Sequence, residues 1–421
     1  MVLALLFKAL AALVLAGVAF AAGYVVAVRR VRALVQAAVA EIAPPLREES
    51  PVTEPSRVRF AQDPAEGTTE WQRSMQEIGE RMRGAGVRLA FFVHGSFVGD
   101  DPLAIAHTVE GALPALPGVG RALRGFTRAK ISRVLGDLSN FPRDYVDAFA
   151  AATGVPSSDF TWSGENHHAA RIQGAVRLAR ALALHGGGSL RQGDRILLVG
   201  HSHGGQLFAI LSQLLARVRG YDELAAAAQV RGEDLGALEE HLTLLRRCRV
   251  DAVTFGTPPR YGWARGAGFR LLHVVNHRGG APRAASLLGF LHTRSGDYVH
   301  QIGGHGSDFP APTAAERAAN ARLEAVLGEG TNVRAWLRQL ASGVRVPSEG
   351  RTVLVDYGDS ASVVPNFWAT GFGHAAYTRR DAMLFHARLV ATELYPSEAP
   401  RLPAAKSPGD SSFRGLARLV R

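Results

Sequence analysis

The chain has 421 residues, 47% hydrophobic and 20% charged, a globular composition long enough for one large α/β domain with attachments. Its formal net charge of +11 is almost wholly arginine, since lysine stands only at Lys8, Lys130 and Lys406. These bases are interleaved with acids and no arginine-rich run adjoins aromatics, so no nucleic-acid partner is expected and an anionic bilayer suits the basic surface better. The single cysteine, Cys248, excludes an internal disulfide framework and a cysteine-based metal site.

Residues 9–28, "ALAALVLAGVAFAAGYVVAV", form an uninterrupted apolar run of about the length a helix needs to cross a bilayer. Arg29, Arg30 and Arg32 follow at once. A membrane anchor over 1–32 is therefore expected, of the single-pass bacterial inner-membrane type, and the arginines lean its carboxyl side toward the cytoplasm. The alternative is a cleaved signal peptide, with "AFA" at 19–21 as the processing site and a secreted or periplasmic product. The segment 41–58 is rich in proline and glutamate and reads as a linker.

The main domain is expected over 66–395. "TTEWQRSMQEIGERMRGAG" carries helix start and stop signals. "VRLAFFVHGSF" then reads as a buried strand ending in a glycine turn. Residues 100–150 loosen into glycine, proline, arginine and short helical pieces and are expected as an insertion that covers something. Strands follow at "SDFTWSG" and "RILLVG", with the helix "ENHHAARIQGAVRLARALAL" between them and the helix "GGQLFAILSQLLARV" after the second. "RVDAVTFGTPP", "FRLLHVVNHRG" and "RTVLVDYGD" complete the strands, "TRRDAMLFHARLVATELY" is the closing helix, and 396–421 is a disordered tail. Strands alternating with helices predict an α/β fold with a mostly parallel sheet covered on both faces.

One stretch carries chemistry. Gly200-His201-Ser202-His203-Gly204 satisfies G-x-S-x-G. The pattern alone is weak, but here a strong apolar strand turns directly into a strong helix, which is the setting that lifts a serine hydroxyl above a sheet edge. Ser202 is the candidate nucleophile, and the bland alternative is a glycine-rich turn with a capping serine. The N–H groups of Ser96, at the end of "FFVHGS", and of His203 are candidates for an oxyanion hole. His374, among glycines in "GFGHAAYTRRD", is the candidate base, ahead of His386 and His305. Asp297, in "RSGDYVHQIGGHG", keeps the order serine–acid–histidine and is the preferred acid, with Asp359 as the alternative. His167 and His168 open a helix, where capping or solvent contact is expected. His273 and His277 are four apart in a strand, so no metal site is expected.

"VHGS", "LLVGHSHGG", "VTFGTPP" and "GHAAYTR" together resemble the α/β-hydrolase superfamily, in the manner of its lipase and esterase branches, over 88–395. In such lipases an aspartate followed by a valine–proline pair lies close behind the strand corresponding to "LLHVVN"; here Gly279 and Gly280 stand there and Asp297 comes later. The resemblance implies an α/β-hydrolase fold with 100–150 as a cap, no cofactor, and acyl transfer through Ser202, His374 and an aspartate. A cap beside a membrane anchor implies a lipid or other hydrophobic ester as substrate. A thioesterase or amidase, or an inactive membrane-tethered scaffold, is the alternative. The sequence sets no oligomeric state.

Overall fold

The computed structural model describes residues 54–61, 63–95, 141–186, 190–218, 220–264, 269–277, 296–328, 330, 332, 347–358 and 373–396. The expected anchor over 1–32, most of the linker, most of the insertion and nearly all of the tail lie outside them. Among the described residues no helix is long and apolar enough to cross a membrane.

Among the described residues, seven strands form one all-parallel sheet: β1 (Ser56–Arg59), β2 (Val87–Val93), β3 (Ser157–Phe160), β4 (Arg195–His201), β5 (Arg249–Phe255), β6 (Arg270–Asn276) and β7 (Arg351–Asp356). Their order across the sheet is β1-β7-β6-β5-β4-β2-β3. From β2 the chain steps outward to β3, then crosses back to lay β4 on the other side of β2. Chain winding therefore reverses between β2 and β4, and in an open parallel sheet such a reversal opens a crevice at the carboxyl ends of the strands.

The central strands are apolar on both sides because helices cover both faces. One face carries α1 (Thr69–Gly84), α2 (Arg143–Thr153) and α9 (Met383–Leu394), which pack on Phe92, Leu197, Val199, Phe255, Val274 and Val353. The other carries α3 (His168–Gly186), α4 (Gly204–Ala216), α5 (Tyr221–Val230), α6 (Leu235–Leu245) and α8 (Ala314–Leu327), packed on Phe91, Val93, Ile196, Leu198 and Ala252. Neighbours along β4 thus alternate between two separate cores, as the period of two requires. The short helix α7 (Tyr298–Ile302) lies outside this layering.

Two boundaries differ from expectation. The linker expected to run to residue 58 ends sooner, because Ser56–Arg59 pairs with β7 from Ser56↔Val353 to Arg59↔Asp356. Only Val58 offers an apolar side chain in that strand, too little for its hydrophobic pattern to reveal it. The insertion expected to reach 150 ends sooner too. Phe141 and α2 are core: Phe92 meets Phe141, Tyr145 and Phe149 at ring-centroid distances of 5.2, 6.0 and 5.1 Å.

Candidate active site

Ser202 occupies the turn between β4 and α4. Its φ is +54°, in the left-handed region that costs a residue with a β-carbon about 1–2 kcal/mol. The surroundings hold it there. Its N–H donates to the Phe255 carbonyl (2.9 Å), and its own carbonyl accepts from the Thr257 hydroxyl (2.7 Å) and the Gly205 N–H (3.2 Å). The flanking glycines are a matter of space: a β-carbon on Gly204 would lie 2.6 Å from the His94 carbonyl oxygen, and one on Gly200 would lie 2.8 Å from the Gly205 nitrogen.

The carboxyl end of β2 crosses directly over the serine. A β-carbon on Gly95 would come within 2.5 Å of the Ser202 β-carbon and 3.0 Å of its Oγ. His94 fixes that crossing. Its Nδ1 donates to the Gly95 carbonyl (2.7 Å), which leaves Nε2 to accept from the Trp162 N–H (3.2 Å), while the Trp162 indole donates to the His94 carbonyl (3.0 Å). Ser96 follows immediately but lies outside the described residues. The His203 N–H stands at the start of α4, where helix N–H groups have no intrahelical acceptor and the helix dipole favours negative charge.

The structure brings two of the expected partners together. His374 Nδ1 lies 2.8 Å from Asp297 Oδ2, and both residues are buried. An ionised carboxylate only accepts, so Nδ1 carries the proton and Nε2 is left as the basic nitrogen. His374 Nε2 and Ser202 Oγ are both buried without a hydrogen-bond partner. His201, the residue before the serine, donates from Nε2 to the His374 carbonyl (3.0 Å), and its ring lies 4.3 Å from the His374 ring. The His374 loop is thereby held against the Ser202 turn. The alternative acid, Asp359, lies outside the described residues. Of the other histidines considered as base, His386 is buried in the core with the Tyr357 hydroxyl (2.7 Å), and His305 lies against Gly328.

Burial alone would raise the Asp297 carboxyl. The electrostatic pull of the His374 ring and its hydrogen bond, with the His300 N–H at 2.9 Å, overcome that and hold it below the usual carboxylate range. Two residues absent from the sequence reading complete this arrangement. Tyr377 donates its hydroxyl proton to Asp297 Oδ2 (3.0 Å) and accepts from the Asn276 N–H (2.7 Å). Asn276 ends β6 and ties both loops together: its side chain donates to the Gly373 carbonyl (2.9 Å), and its carbonyl accepts from the Gly296 N–H (3.0 Å). Gly373 and Gly296 precede His374 and Asp297 and pass so closely that a β-carbon on Gly373 would overlap the Gly296 carbonyl.

No protein-family model, characterised protein or solved structure matches this chain. What the site can do must come from its own geometry.

Behind the serine turn lies a buried ionic cluster. Asp308 accepts from Arg171 (2.8 Å) and, through both oxygens, from Arg260 (2.6 and 2.6 Å). Tyr261 accepts from Arg171 (2.9 Å) and lies 2.9 Å from His168 Nδ1. Burial alone would raise the Asp308 carboxyl, but the two guanidiniums hold it far below the usual range. His167 caps α3 as expected, its Nδ1 accepting from the Ala170 N–H (3.3 Å), but from a buried position; His168, expected at a cap or in solvent, is buried too, and desolvation takes it down to about 3, so it is neutral. The reason is that the first residue of α3 meets this cluster, His168 Nε2 lying 3.9 Å from Asp308 Oδ2. His203 shares the region: burial first, then Arg171 and Arg260, push its pKa well down. Among the described residues no group of three or more His, Cys, Asp or Glu is arranged to hold a metal.

Proposed function

We propose that the chain is a serine hydrolase of the α/β-hydrolase type that cleaves a carboxylic ester of a hydrophobic, lipid-like acyl group. The observation that carries this is Ser202 at φ +54° on a strand-to-helix turn, with the His374–Asp297 pair held against that turn through His201. A strained serine, a base in a defined tautomer and a buried carboxylate behind it are the three parts nucleophilic acyl transfer needs.

In this reading Ser202 Oγ attacks the ester carbonyl while its proton passes to His374 Nε2. The imidazolium formed is stabilised by Asp297. The carbonyl oxygen becomes an alkoxide and is met by the N–H of His203, supported by the α4 dipole, and by that of Ser96. Collapse of this intermediate expels the alcohol, which takes the proton back from His374. Water then repeats the sequence to release the acid and restore the hydroxyl. Each step is proton transfer and carbonyl addition, so no cofactor enters. The hydrophobic acyl preference follows from the apolar run at 9–28 and the expected cap, and a membrane is the corresponding partner.

The test is labelling of the full chain in detergent with a fluorophosphonate, mapped by mass spectrometry, beside Ser202→Ala. Labelling confined to Ser202 supports the proposal, and a chain-length series of esters, thioesters and amides then assigns the acyl group and leaving group. A folded protein that does not label, with or without lipid, would be a scaffold and not a hydrolase.

A further inference from the structure

We infer that Tyr377 is the positioning residue of the acid: its hydroxyl, aimed by the Asn276 backbone N–H, holds the Asp297 carboxylate in place and ionised beneath His374. This depends on the assignment of Ser202, His374 and Asp297 proposed above.

A phenol has one proton to give and lone pairs to receive. The Asn276 N–H, at 2.7 Å, arrives at the oxygen as a donor, so the hydroxyl proton is left for Asp297 Oδ2 at 3.0 Å. The direction of the bond is therefore set by backbone that belongs to the last residue of a sheet strand. Oδ2 is the same oxygen that receives His374 Nδ1. A tyrosine that merely filled the core would have no reason to share the base's acceptor atom.

Local geometry explains why the two residues meet there. His374 precedes a 3₁₀ turn, Ala375–Tyr377, and side chains three apart in such a turn project to the same side. The base and its second-rank partner are thus presented together to one carboxylate. An ionised carboxylate that is 0% exposed is costly unless it is well supplied with donors. Tyr377, His374 and the His300 N–H supply them. Burial first, then the neighbouring Asp297 charge, push the Tyr377 phenol well up, so it remains a donor throughout the working range. The other titratable rings facing it are His201 at 5.8 Å and Tyr357 at 5.6 Å, the latter bonded to His386.

The experiment measures the rate of Ser202 phosphonylation against pH in the full-length protein. Wild type is compared with Tyr377→Phe and with a protein carrying 3-fluorotyrosine at position 377. Tyr377→Phe keeps the buried ring and removes only the hydroxyl. Its rate should fall about tenfold to a hundredfold, the range set by one hydrogen bond to a charged group. The acid limb of its profile should move to higher pH, because a carboxylate with one donor fewer holds a proton more tightly. Fluorotyrosine is a stronger donor, so it should move the limb to lower pH and retain labelling. Loss of stability alone moves neither limb.

A wild-type profile in either variant would overturn the inference, and the fluorotyrosine protein decides it if Tyr377→Phe does not fold. The low-field proton resonance of His374 Nδ1 gives a readout that needs no reactive serine. It should shift in both variants, and an unshifted resonance would also overturn the role given to Tyr377. Absence of labelling in wild type would instead remove the hydrolase assignment, and that failure is visible separately.

Discussion

Gly256→Ala should disable the site from a position that touches neither serine nor base. Gly256 follows β5 with φ +57°, and a β-carbon there would lie 2.5 Å from Asp297 Oδ2 and 2.4 Å from the Tyr377 ring. Restoring ordinary contact at 3.4 Å requires the carboxylate to retreat by about 0.9 Å. If His374 stays in place, its 2.8 Å bond to Asp297 opens to about 3.7 Å, beyond hydrogen-bonding range. A misplacement of that size costs on the order of a hundredfold in rate. The substitution also forces a β-carbon into the left-handed region, which lowers stability by about 1–2 kcal/mol. Gly67→Ala separates the two effects: its φ is +84°, yet nothing lies within 4 Å of the added carbon. Fluorophosphonate labelling rates and urea unfolding of the two variants form the assay. Both should lose stability, and only Gly256→Ala should lose labelling by about a hundredfold. Near-wild-type labelling of a folded Gly256→Ala protein would refute the placement of Asp297 as the acid.

Ser202→Gly should abolish labelling and yet raise stability by about 1 kcal/mol, because glycine adopts φ +54° without strain; an unchanged or lower midpoint in urea would count against a strained serine. Three buried histidines should make stability fall with acid. Desolvation lowers His168 and His386 to about 3 and His273 to about 4 from 6.5. Above 6.5 both states are neutral and the contribution is complete; below it the unfolded chain gains protons the folded one refuses, so stability declines as pH falls from 6.5 toward 3. Urea midpoints at pH 7.5 and 5.5 should differ, and a flat response would contradict neutral burial. Asp308→Ala leaves the Arg171 and Arg260 guanidiniums without their shared carboxylate and should cost about 3–5 kcal/mol, read by urea unfolding; a loss below about 1 kcal/mol would mean the cluster relaxes to solvent.

Periodicity revealed the sheet wherever strands are buried on both faces. "RILLVG" and "FRLLHVVN" announce themselves by apolar runs, and the G-x-S-x-G turn is placed by the strand before it and the helix after it. β1 escaped because an edge strand with two exposed arginines is held by its pairing with β7, a contact invisible from composition. Asp297 and His374 were legible from chain order and glycine-rich loops. Asn276 and Tyr377 were not: an asparagine after five apolar or neutral strand positions reads as a strand end, and a tyrosine in "HAAY" reads as core. The i,i+3 spacing of His374 and Tyr377 is the signal that could have found the second. The Arg171–Asp308–Arg260 cluster joins residues far apart in sequence, so no local pattern marks it.

β1 also fixes the rim at which the described domain begins. It runs parallel to every other strand, so the chain arrives at Ser56 along the amino-terminal rim of the sheet, while Ser202 stands at the opposite, carboxyl-terminal rim. A seven-residue strand such as β4 separates those rims by about 20 Å. The described chain therefore enters the sheet at one rim, with the Ser202 hydroxyl at the other. If Ser202 is the nucleophile proposed above, a substrate reaches it from the rim opposite the one at which the described chain enters the sheet.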